Sequence, residues 1–189
     1  VEGTELHKAA PTPHQINEDW LRPVLEKLLE ALDYLHGQGL LHRDIKPNNI
    51  LLLSDGTPVL IDFGLARETS EGPTSLLAAF TPGYSPLEQN IRDKRGPWTD
   101  LYALGATCYF LLTRETPPDC HERTDDDPYR PLSQRPELSG RFSTAVLEGI
   151  DRALRMPRHE RWQTAQAWLD YLQEKKPHGE VVSGCKSRP

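Results

Sequence analysis

The chain has 189 residues, of which 37% are hydrophobic and 26% charged, and its formal net charge is −6. These values predict one globular domain of ordinary size rather than a disordered chain. Nucleic-acid binders usually carry a basic stripe, and the absence of one here argues against a nucleic-acid partner. Short apolar runs such as residues 50–53 are far shorter than the about 20 residues of a membrane span.

Cysteine usage and the first residues favour a cytoplasmic location. Cys108, Cys120 and Cys185 are scattered and form no Cys-x-x-Cys pair, so we predict neither a disulfide framework nor a zinc site. The chain begins at Val1 without the basic and apolar leader of a signal peptide. A start without Met predicts a piece of a longer protein, and whether that protein is membrane-tethered stays open.

A long amphipathic helix is the first regular element predicted, after an irregular stretch over residues 1–16. Asn17 is a good helix cap and acids follow it, so the helix is predicted over residues 18–37 and ends at glycines. Pro23 leaves the first turn uncertain, because proline lacks a backbone donor. The apolar face recurs at three- and four-residue steps and consists of Leu21, Val24, Leu25, Leu28, Leu29, Leu32 and Leu35.

A β-hairpin and a long loop are predicted next. Two short apolar runs, 50–53 and 59–61, flank Asp55-Gly56, which is a typical hairpin turn. Residues 65–82 are rich in Thr, Ser, Gly and Pro and show no periodicity, so they predict a loop, and loops of this length are usually functional.

The second half of the chain is predicted to be helical. Residues 98–112 are apolar nearly all round, which predicts a helix in the middle of the domain. Residues 114–141 are predicted to be irregular. Amphipathic helices are predicted over 143–155 and 164–174, followed by a loose tail over 175–189. The predicted fold class is therefore mainly α with a small β-ribbon.

Three polar clusters stand where the apolar pattern is interrupted. They are His42-Arg43-Asp44-Ile45-Lys46-Pro47-Asn48-Asn49, Asp62-Phe63-Gly64 and Thr81-Pro82-Gly83-Tyr84-Ser85-Pro86-Leu87-Glu88. Phosphoryl transfer to a hydroxyl needs an orienting carboxylate, a cation near the γ-phosphate and oxygen ligands for Mg²⁺. Asp44 and Lys46 can supply the first two. Asn49 and Asp62 can supply the third, because the hairpin places both at one end of the ribbon.

These clusters resemble the catalytic-loop and magnesium-loop signatures of eukaryotic-like protein kinases. Lys46 and the Thr81–Tyr84 stretch are similar to bacterial-type serine/threonine members of that family. The 18–37 helix resembles kinase helix E, and the helix from Trp98 resembles helix F. The resemblance covers about residues 1–174. It implies a protein kinase-like fold consisting of the C-terminal lobe without the N-lobe, and it leaves 175–189 as the tail.

The resemblance implies Mg-ATP as cofactor and transfer of its γ-phosphate to Ser or Thr of a protein. In the family, Asp44 would orient the hydroxyl, Lys46 would contact the γ-phosphate, and Asn49 and Asp62 would hold magnesium. Two further nucleotide contacts are implied. Glu5 matches an acidic position that can bind the ribose, and Leu51 matches the floor under the adenine. The substrate floor is assigned to Thr81, Pro82, Gly83 and Tyr84.

Other motif residues are assigned structural roles by the resemblance. His42 and Phe63 belong to a hydrophobic stack beneath the site, with Gly64 beside it. Asp100 would anchor the catalytic-loop backbone, and Glu88 would form an ion pair with Arg161. Arg43 would partner a phosphorylated activation loop, whose candidate hydroxyls are Thr69, Ser70, Thr74 and Ser75.

The sequence departs from the family in three places. Ala-Pro-Glu is replaced by Pro86-Leu87-Glu88, and Phe80 stands where a glycine is usual. We expect these two changes to alter substrate fit. No Gly-rich loop, strand lysine or helix-C glutamate is found, so the N-lobe is an expected partner in cis. The isolated lobe is expected to be inactive and able to self-associate through the uncovered face.

Two other functions remain open at this point. A kinase-derived scaffold without catalysis would explain the missing N-lobe. Such a scaffold would not need intact catalytic and magnesium-binding residues, yet this sequence retains all four. A small-molecule phosphotransferase shares the Asp…Asn…Asp logic, but it would not explain Lys46, the Asp62-Phe63-Gly64 motif or the Thr81–Glu88 segment. A lone Asp44 could be a turn residue or a helix cap, and the loop hydroxyls of 69–75 could simply be solvated.

Overall fold

The structure is a computed structural model that describes residues 2–62, 67–68, 80–91, 94–124 and 126–174. Its helices are α1 (Leu6–Ala9), α2 (Glu18–Gly37), α3 (Pro97–Thr113), α4 (Thr144–Ala153) and α5 (Ala165–Glu174). Its strands are β1 (Thr4–Glu5), β2 (Leu40–Leu41), β3 (Ile50–Leu52), β4 (Pro58–Leu60) and β5 (Arg67–Glu68). Among the described residues, no helix combines the length and apolarity that a membrane crossing needs.

Helix α2 begins where the capping signal predicts. The Trp20 backbone N–H donates to Asn17 Oδ1 at 3.1 Å, which satisfies one of the otherwise unpaired donors of the first turn. Pro23 lies inside the helix, so the helix tolerates one missing backbone bond. Its apolar face compensates, because most of the predicted leucines are buried against the rest of the core.

Replacing Asn17 by alanine should lower the free energy of unfolding by about 1 kcal/mol, because the Trp20 N–H loses its acceptor. Urea denaturation checks this, and Asn17→Asp, which keeps a capping oxygen, is the control. Equal midpoints for Asn17→Ala and the unmodified protein would contradict the capping role.

The predicted hairpin is confirmed and gains a third strand. Strands β3 and β4 are antiparallel, with Leu51 opposite Val59, and Gly56 in the turn has φ +83°. Strand β1 pairs antiparallel with β3 and places Glu5 opposite Leu51. The prediction that residues 1–16 are irregular is therefore wrong for β1 and α1. Two-residue strands carry no periodicity, and β1 pairs with residues that lie 46 and 48 positions further along the chain, which no local pattern reveals.

A second small β-ribbon pairs the strand just before the predicted catalytic segment with a strand that follows the hairpin. Strand β2 pairs with β5, with Leu41 opposite Arg67. The prediction of a loop over 65–82 is therefore wrong at residues 67–68, which form a strand. The remaining residues of that prediction up to 79, and the predicted tail over 175–189, lie outside the described residues.

Helix α3 is the centre of the core. Nearly all of its side chains are buried, which confirms the prediction from its all-round apolar sequence. It packs against α4, and α2 packs against α5. The close approach of α3 and α4 requires Gly105, because a Cβ there would lie 2.9 Å from Ala153 Cβ. The last two predicted helices are confirmed, and Ser143 accepts a hydrogen bond from the Val146 N–H at the start of α4.

Candidate active site

One buried carboxylate anchors the backbone of the segment between β2 and β3. Asp100 of α3 accepts the His42 N–H at 2.9 Å through Oδ2 and the Arg43 N–H at 2.8 Å through Oδ1. Asp100 is 1% exposed, so its charge needs such donors. Arg43 has φ +68°, a conformation that costs a non-glycine residue free energy. The two hydrogen bonds to Asp100 offset that cost and fix the direction in which residue 44 leaves the segment.

Two further residues support this anchor and were missed in the sequence. His36 Nε2 lies 2.9 Å from Asp100 Oδ2, and Gln89 Nε2 donates to the Arg43 carbonyl at 2.8 Å. Both contacts join residues more than forty positions apart, so no local pattern reveals them. His36 ends a helix, where histidine is common for reasons unrelated to a site.

Asp44 is the centre of a cluster that draws in the predicted catalytic residues. Lys46 Nζ lies 2.8 and 2.9 Å from its two carboxylate oxygens. Asn49 Nδ2 donates to Asp44 Oδ2 at 2.7 Å and to the Asp44 carbonyl at 2.8 Å. Thr81 Oγ1 donates to Asp44 Oδ1 at 3.1 Å. One carboxylate thus contacts a cation, an amide and a hydroxyl from a distant segment.

Asp62 follows β4, one residue beyond a backbone contact with Asn49. The Ile61 N–H donates to the Asn49 carbonyl at 2.9 Å, so the two segments of the hairpin are still paired one residue before Asp62. Asp62 has φ +62° and is exposed. The ring of the buried His42 bonds the Ile61 carbonyl through Nε2 at 3.0 Å, which ties the segment to the end of β4. Its expected partners in the hydrophobic stack, Phe63 and Gly64, lie outside the described residues.

The Thr81–Tyr84 floor is a tight, internally bonded turn. Tyr84 N–H donates to the Thr81 carbonyl at 3.0 Å, and Thr81 N–H donates to Ser85 Oγ at 2.8 Å. Gly83 has φ +78°, and a Cβ there would lie 2.8 Å from Thr116 Cβ. Only glycine fits this position. Burial raises the pKa of Tyr84 to about 12, so its hydroxyl stays neutral. Pro82 is exposed within the same turn.

The two predicted nucleotide contacts lie on paired strands. Glu5 and Leu51 face each other in the β1–β3 register. Lys8 Nζ bonds Glu5 Oε1 at 2.8 Å, and this hydrogen bond leads the causes that lower the pKa of the Glu5 carboxyl. Asn48 Nδ2 approaches Glu5 Oε2 at 3.5 Å. Glu5 is therefore tied to the catalytic segment through Asn48, although it lies far from it in sequence.

Glu88 and Arg161 are brought together beneath the substrate floor. Arg161 Nη1 lies 2.6 Å from Glu88 Oε1, and the Arg161 side chain is fully buried. Its guanidinium carbon lies 4.7 Å from the centroid of the Tyr102 ring. Sequence reasoning missed Arg123, which is 4% exposed and donates to Tyr102 Oη at 3.2 Å. A buried arginine in a charged, Pro-rich stretch gives no signal in the sequence.

Phe80, which replaces the usual glycine just before the Thr81–Tyr84 floor, packs on a neighbouring loop. Its ring centroid lies 5.4 Å from that of His121. The bulky side chain therefore occupies a place beside the 119–121 turn. The phosphorylation candidates of the activation loop lie outside the described residues.

Comparison with known proteins identifies the family of this fold and site. The protein kinase domain model matches residues 1–170. The chain therefore belongs to the protein kinase family, as the catalytic-loop motifs predict.

Bacterial serine/threonine kinases are among the relatives that the chain matches. The chain is 37% identical over 181 residues to serine/threonine-protein kinase PknA of Nostoc sp. (strain PCC 7120 / SAG 25.82 / UTEX 2576), a match that covers 92% of the chain and 31% of the relative. It is 32% identical over 196 residues to serine/threonine-protein kinase F of Synechocystis sp. (strain ATCC 27184 / PCC 6803 / Kazusa), covering 97% and 38%. The chain thus spans about a third of the length of these relatives.

A solved structure confirms the fold class. The chain superposes on the structure described as "PpkA-294 apo form" with a TM-score of 0.77 and 35% sequence identity, covering 90% of this chain and 60% of that one. The prediction of a mainly helical, protein kinase-like fold with a small β-ribbon is confirmed, and so is the resemblance to bacterial-type serine/threonine kinases.

Proposed function

We propose that the chain carries the catalytic lobe of a serine/threonine protein kinase, which transfers the γ-phosphate of Mg-ATP to a protein hydroxyl. The observation that carries the proposal is the Asp44 cluster. One carboxylate is bonded at 2.7–3.1 Å to Lys46, Asn49 and Thr81, which come from both sides of the site. These are the side chains that the substrate hydroxyl and the γ-phosphate would need to contact.

Asp44 acts on the attacking hydroxyl. Its carboxylate orients the Ser or Thr hydroxyl and accepts its proton as the bond to phosphorus forms. Lys46, whose Nζ lies 2.8 Å from Asp44 Oδ2, would contact the γ-phosphate of bound Mg-ATP and offset its negative charge. Asp100 fixes the backbone of the preceding residue, Arg43, and Asn49 bonds the Asp44 carboxylate directly, so the carboxylate needs little reorganisation when substrate arrives.

The donor set fits magnesium. The amide nitrogen of Asn49 is engaged with Asp44, which leaves the amide oxygen as a ligand. Asp62 adds an exposed carboxylate at the same end of the ribbon. Both are hard oxygen donors of the kind that magnesium prefers. Mg-ATP, when bound, would supply the γ-phosphoryl group, with ADP leaving as the bond to the β-phosphate oxygen breaks, and its magnesium ion would offset the negative charge that develops. Glu5 and Leu51 are proposed to contact the ribose and adenine.

The substrate is proposed to be a protein rather than a small molecule. The Thr81–Tyr84 turn is shaped by its own hydrogen bonds and by Gly83, and such a floor suits an extended peptide. Thr81 is bonded to Asp44, so the floor and the catalytic carboxylate are held together. A scaffold without catalysis would have no need of this arrangement.

Removing the Asp62 carboxylate tests the proposal. Mg-ATP should raise the melting temperature of the complete protein, because a ligand that binds only the folded state stabilises that state. At a ligand concentration 100 times Kd, the stabilisation is about 2.7 kcal/mol. Asp62→Ala should abolish most of that rise. Differential scanning fluorimetry with Mg-ATP, and with ATP plus EDTA, measures it.

Asp170→Ala is the matched control, since Asp170 is an exposed acid on α5, and the full shift should persist in that variant. An undiminished Mg-ATP shift in Asp62→Ala would overturn the assignment of Asp62. A normal shift without any phosphate transfer would instead favour the scaffold.

Partners and location follow as further proposals. An N-lobe in cis is proposed to complete the nucleotide site, and in its absence the lobe is proposed to be inactive and to self-associate. A cytoplasmic location is proposed from cysteine usage, and Cys108 and Cys120 are both free thiols. Residues 1–174 are proposed as the lobe and 175–189 as its tail.

A further inference from the structure

We propose that Asp119, Cys120 and His121 form a binding site for a zinc-class divalent metal ion. These three consecutive residues lie in the turn that follows α3 and precedes the buried Arg123. Each offers one ligand atom, and the three atoms lie within 4.8 Å of one another. Within the described part of the chain, this is the one group of three such residues that meets this distance.

The geometry is close to that of a three-ligand zinc site. Zinc bonds of about 2.3 Å to sulfur and about 2.0 Å to nitrogen or oxygen place tetrahedral ligand atoms about 3.5 Å apart. The ligand atoms, which lie within 4.8 Å of one another, therefore need to approach by at most about 1.3 Å to reach that spacing. His121 is exposed and Asp119 is half-buried, so both can move over the buried Cys120 thiol. A water molecule would complete four-coordination.

The chemistry of the donors selects the metal. A thiolate and an imidazole bind zinc, cobalt and copper in preference to magnesium or calcium. The Asp119 carboxylate accepts the backbone N–H of His121 at 2.9 Å and the backbone N–H of Gly83 at 3.4 Å, and each oxygen retains a lone pair for a metal. Burial raises the pKa of the Cys120 thiol to about 12, so the thiol proton must leave to solvent when the metal binds. The prediction of no zinc site rests on the absence of a Cys-x-x-Cys pair. A site with a single thiolate contains no such pair, so that criterion cannot detect it.

The position gives the site a structural consequence. Asp119 bonds Gly83 of the substrate floor, and the His121 ring contacts Phe80 just ahead of the floor. A metal on these ligands would tie the 119–121 turn to both residues. Occupancy should therefore stiffen the floor and stabilise the folded state.

Cobalt spectroscopy on the complete protein tests the site. One equivalent of Co²⁺, in metal-free buffer with a non-thiol reductant, should give a near-ultraviolet thiolate-to-cobalt charge-transfer band, and Zn²⁺ should displace it. Cys120→Ser should abolish the band, and His121→Ala should weaken cobalt binding by about tenfold or more. His121 is exposed, so that variant should fold even if the buried Cys120→Ser does not.

Two matched controls separate this site from other thiols and imidazoles. Cys108→Ala removes the other described thiol, which is buried in α3, and His14→Ala removes another exposed imidazole. Both should keep the full band. The proposal is overturned if no band appears at one equivalent, if the band survives Cys120→Ser, or if Cys108→Ala removes it. None of these readouts depends on phosphate transfer, so failure here leaves the kinase proposal untouched.

Discussion

Asp44→Asn is expected to lower phosphate transfer to Ser/Thr peptides by about 100- to 10,000-fold, the range over which a positioned acid or base contributes to catalysis. The amide has nearly the same size as the carboxylate and leaves the bond from Asn49 Nδ2 to the backbone carbonyl of residue 44 in place, so the backbone of the segment should keep its shape. It cannot accept the hydroxyl proton, and it no longer offers Lys46 a charged partner at 2.8 Å. Mg-ATP binding should persist, because the proposed magnesium ligands are Asn49 and Asp62.

Two measurements on the complete protein check this expectation. Transfer of labelled phosphate to a Ser/Thr peptide library gives the rate, and the Mg-ATP thermal shift reports whether nucleotide still binds. Asp170→Asn is the isosteric control on an exposed helix face and should keep the rate of the unmodified protein. If Asp44→Asn also kept that rate, Asp44 would not be the carboxylate that receives the proton.

Local signals made the outline of the fold predictable. The Asn17 cap, the Asp55-Gly56 turn and the apolar run of α3 each act over a few residues, which is the range that periodicity and turn chemistry report. The hairpin prediction also placed Asn49 and Asp62 at one end of the ribbon. The described backbone pairing just before Asp62 agrees with that placement.

Non-local contacts account for what the sequence did not reveal. The β1–β3 and β2–β5 pairings join two-residue strands that have no pattern of their own. The bond between His36 and Asp100 spans 64 positions, and the bond between Arg123 and Tyr102 depends on both side chains being buried. A single sequence shows that such residues are present, but not which of them meet. Burial decides their partners, because an unpaired polar group inside the core is costly.

Two buried acids hold the site in place, each against a different segment. Asp100 binds the backbone of the catalytic segment at His42 and Arg43, whereas Glu88 binds Arg161 below the substrate floor. Thr99, the residue before Asp100, also donates to Glu88 Oε1 at 3.4 Å. The start of α3 is thus a common support for both segments. The alignment of Thr81 with Asp44 depends on this shared support.

Arg161→Ala is expected to lower the free energy of unfolding by about 3–5 kcal/mol, because it leaves the Glu88 carboxylate buried without its cation. The total stability of a domain is about 5–15 kcal/mol, so the variant should be close to unfolding at ambient temperature. Part of the loss comes from Arg161 itself, whose guanidinium also donates to the Met156 carbonyl at 2.9 Å and lies over the Tyr102 ring.

Urea denaturation followed by tryptophan fluorescence measures the loss, with Arg158→Ala as the control. Arg158 is an exposed arginine three residues away whose Nη1 bonds the Lys94 carbonyl, so its removal should cost less than about 1 kcal/mol. The double variant Glu88→Leu/Arg161→Met should recover much of the stability, because an apolar pair of similar volume carries no stranded charge. If the double variant were as unstable as Arg161→Ala, the lost packing and carbonyl contacts of Arg161, rather than the unpaired charge, would account for the effect.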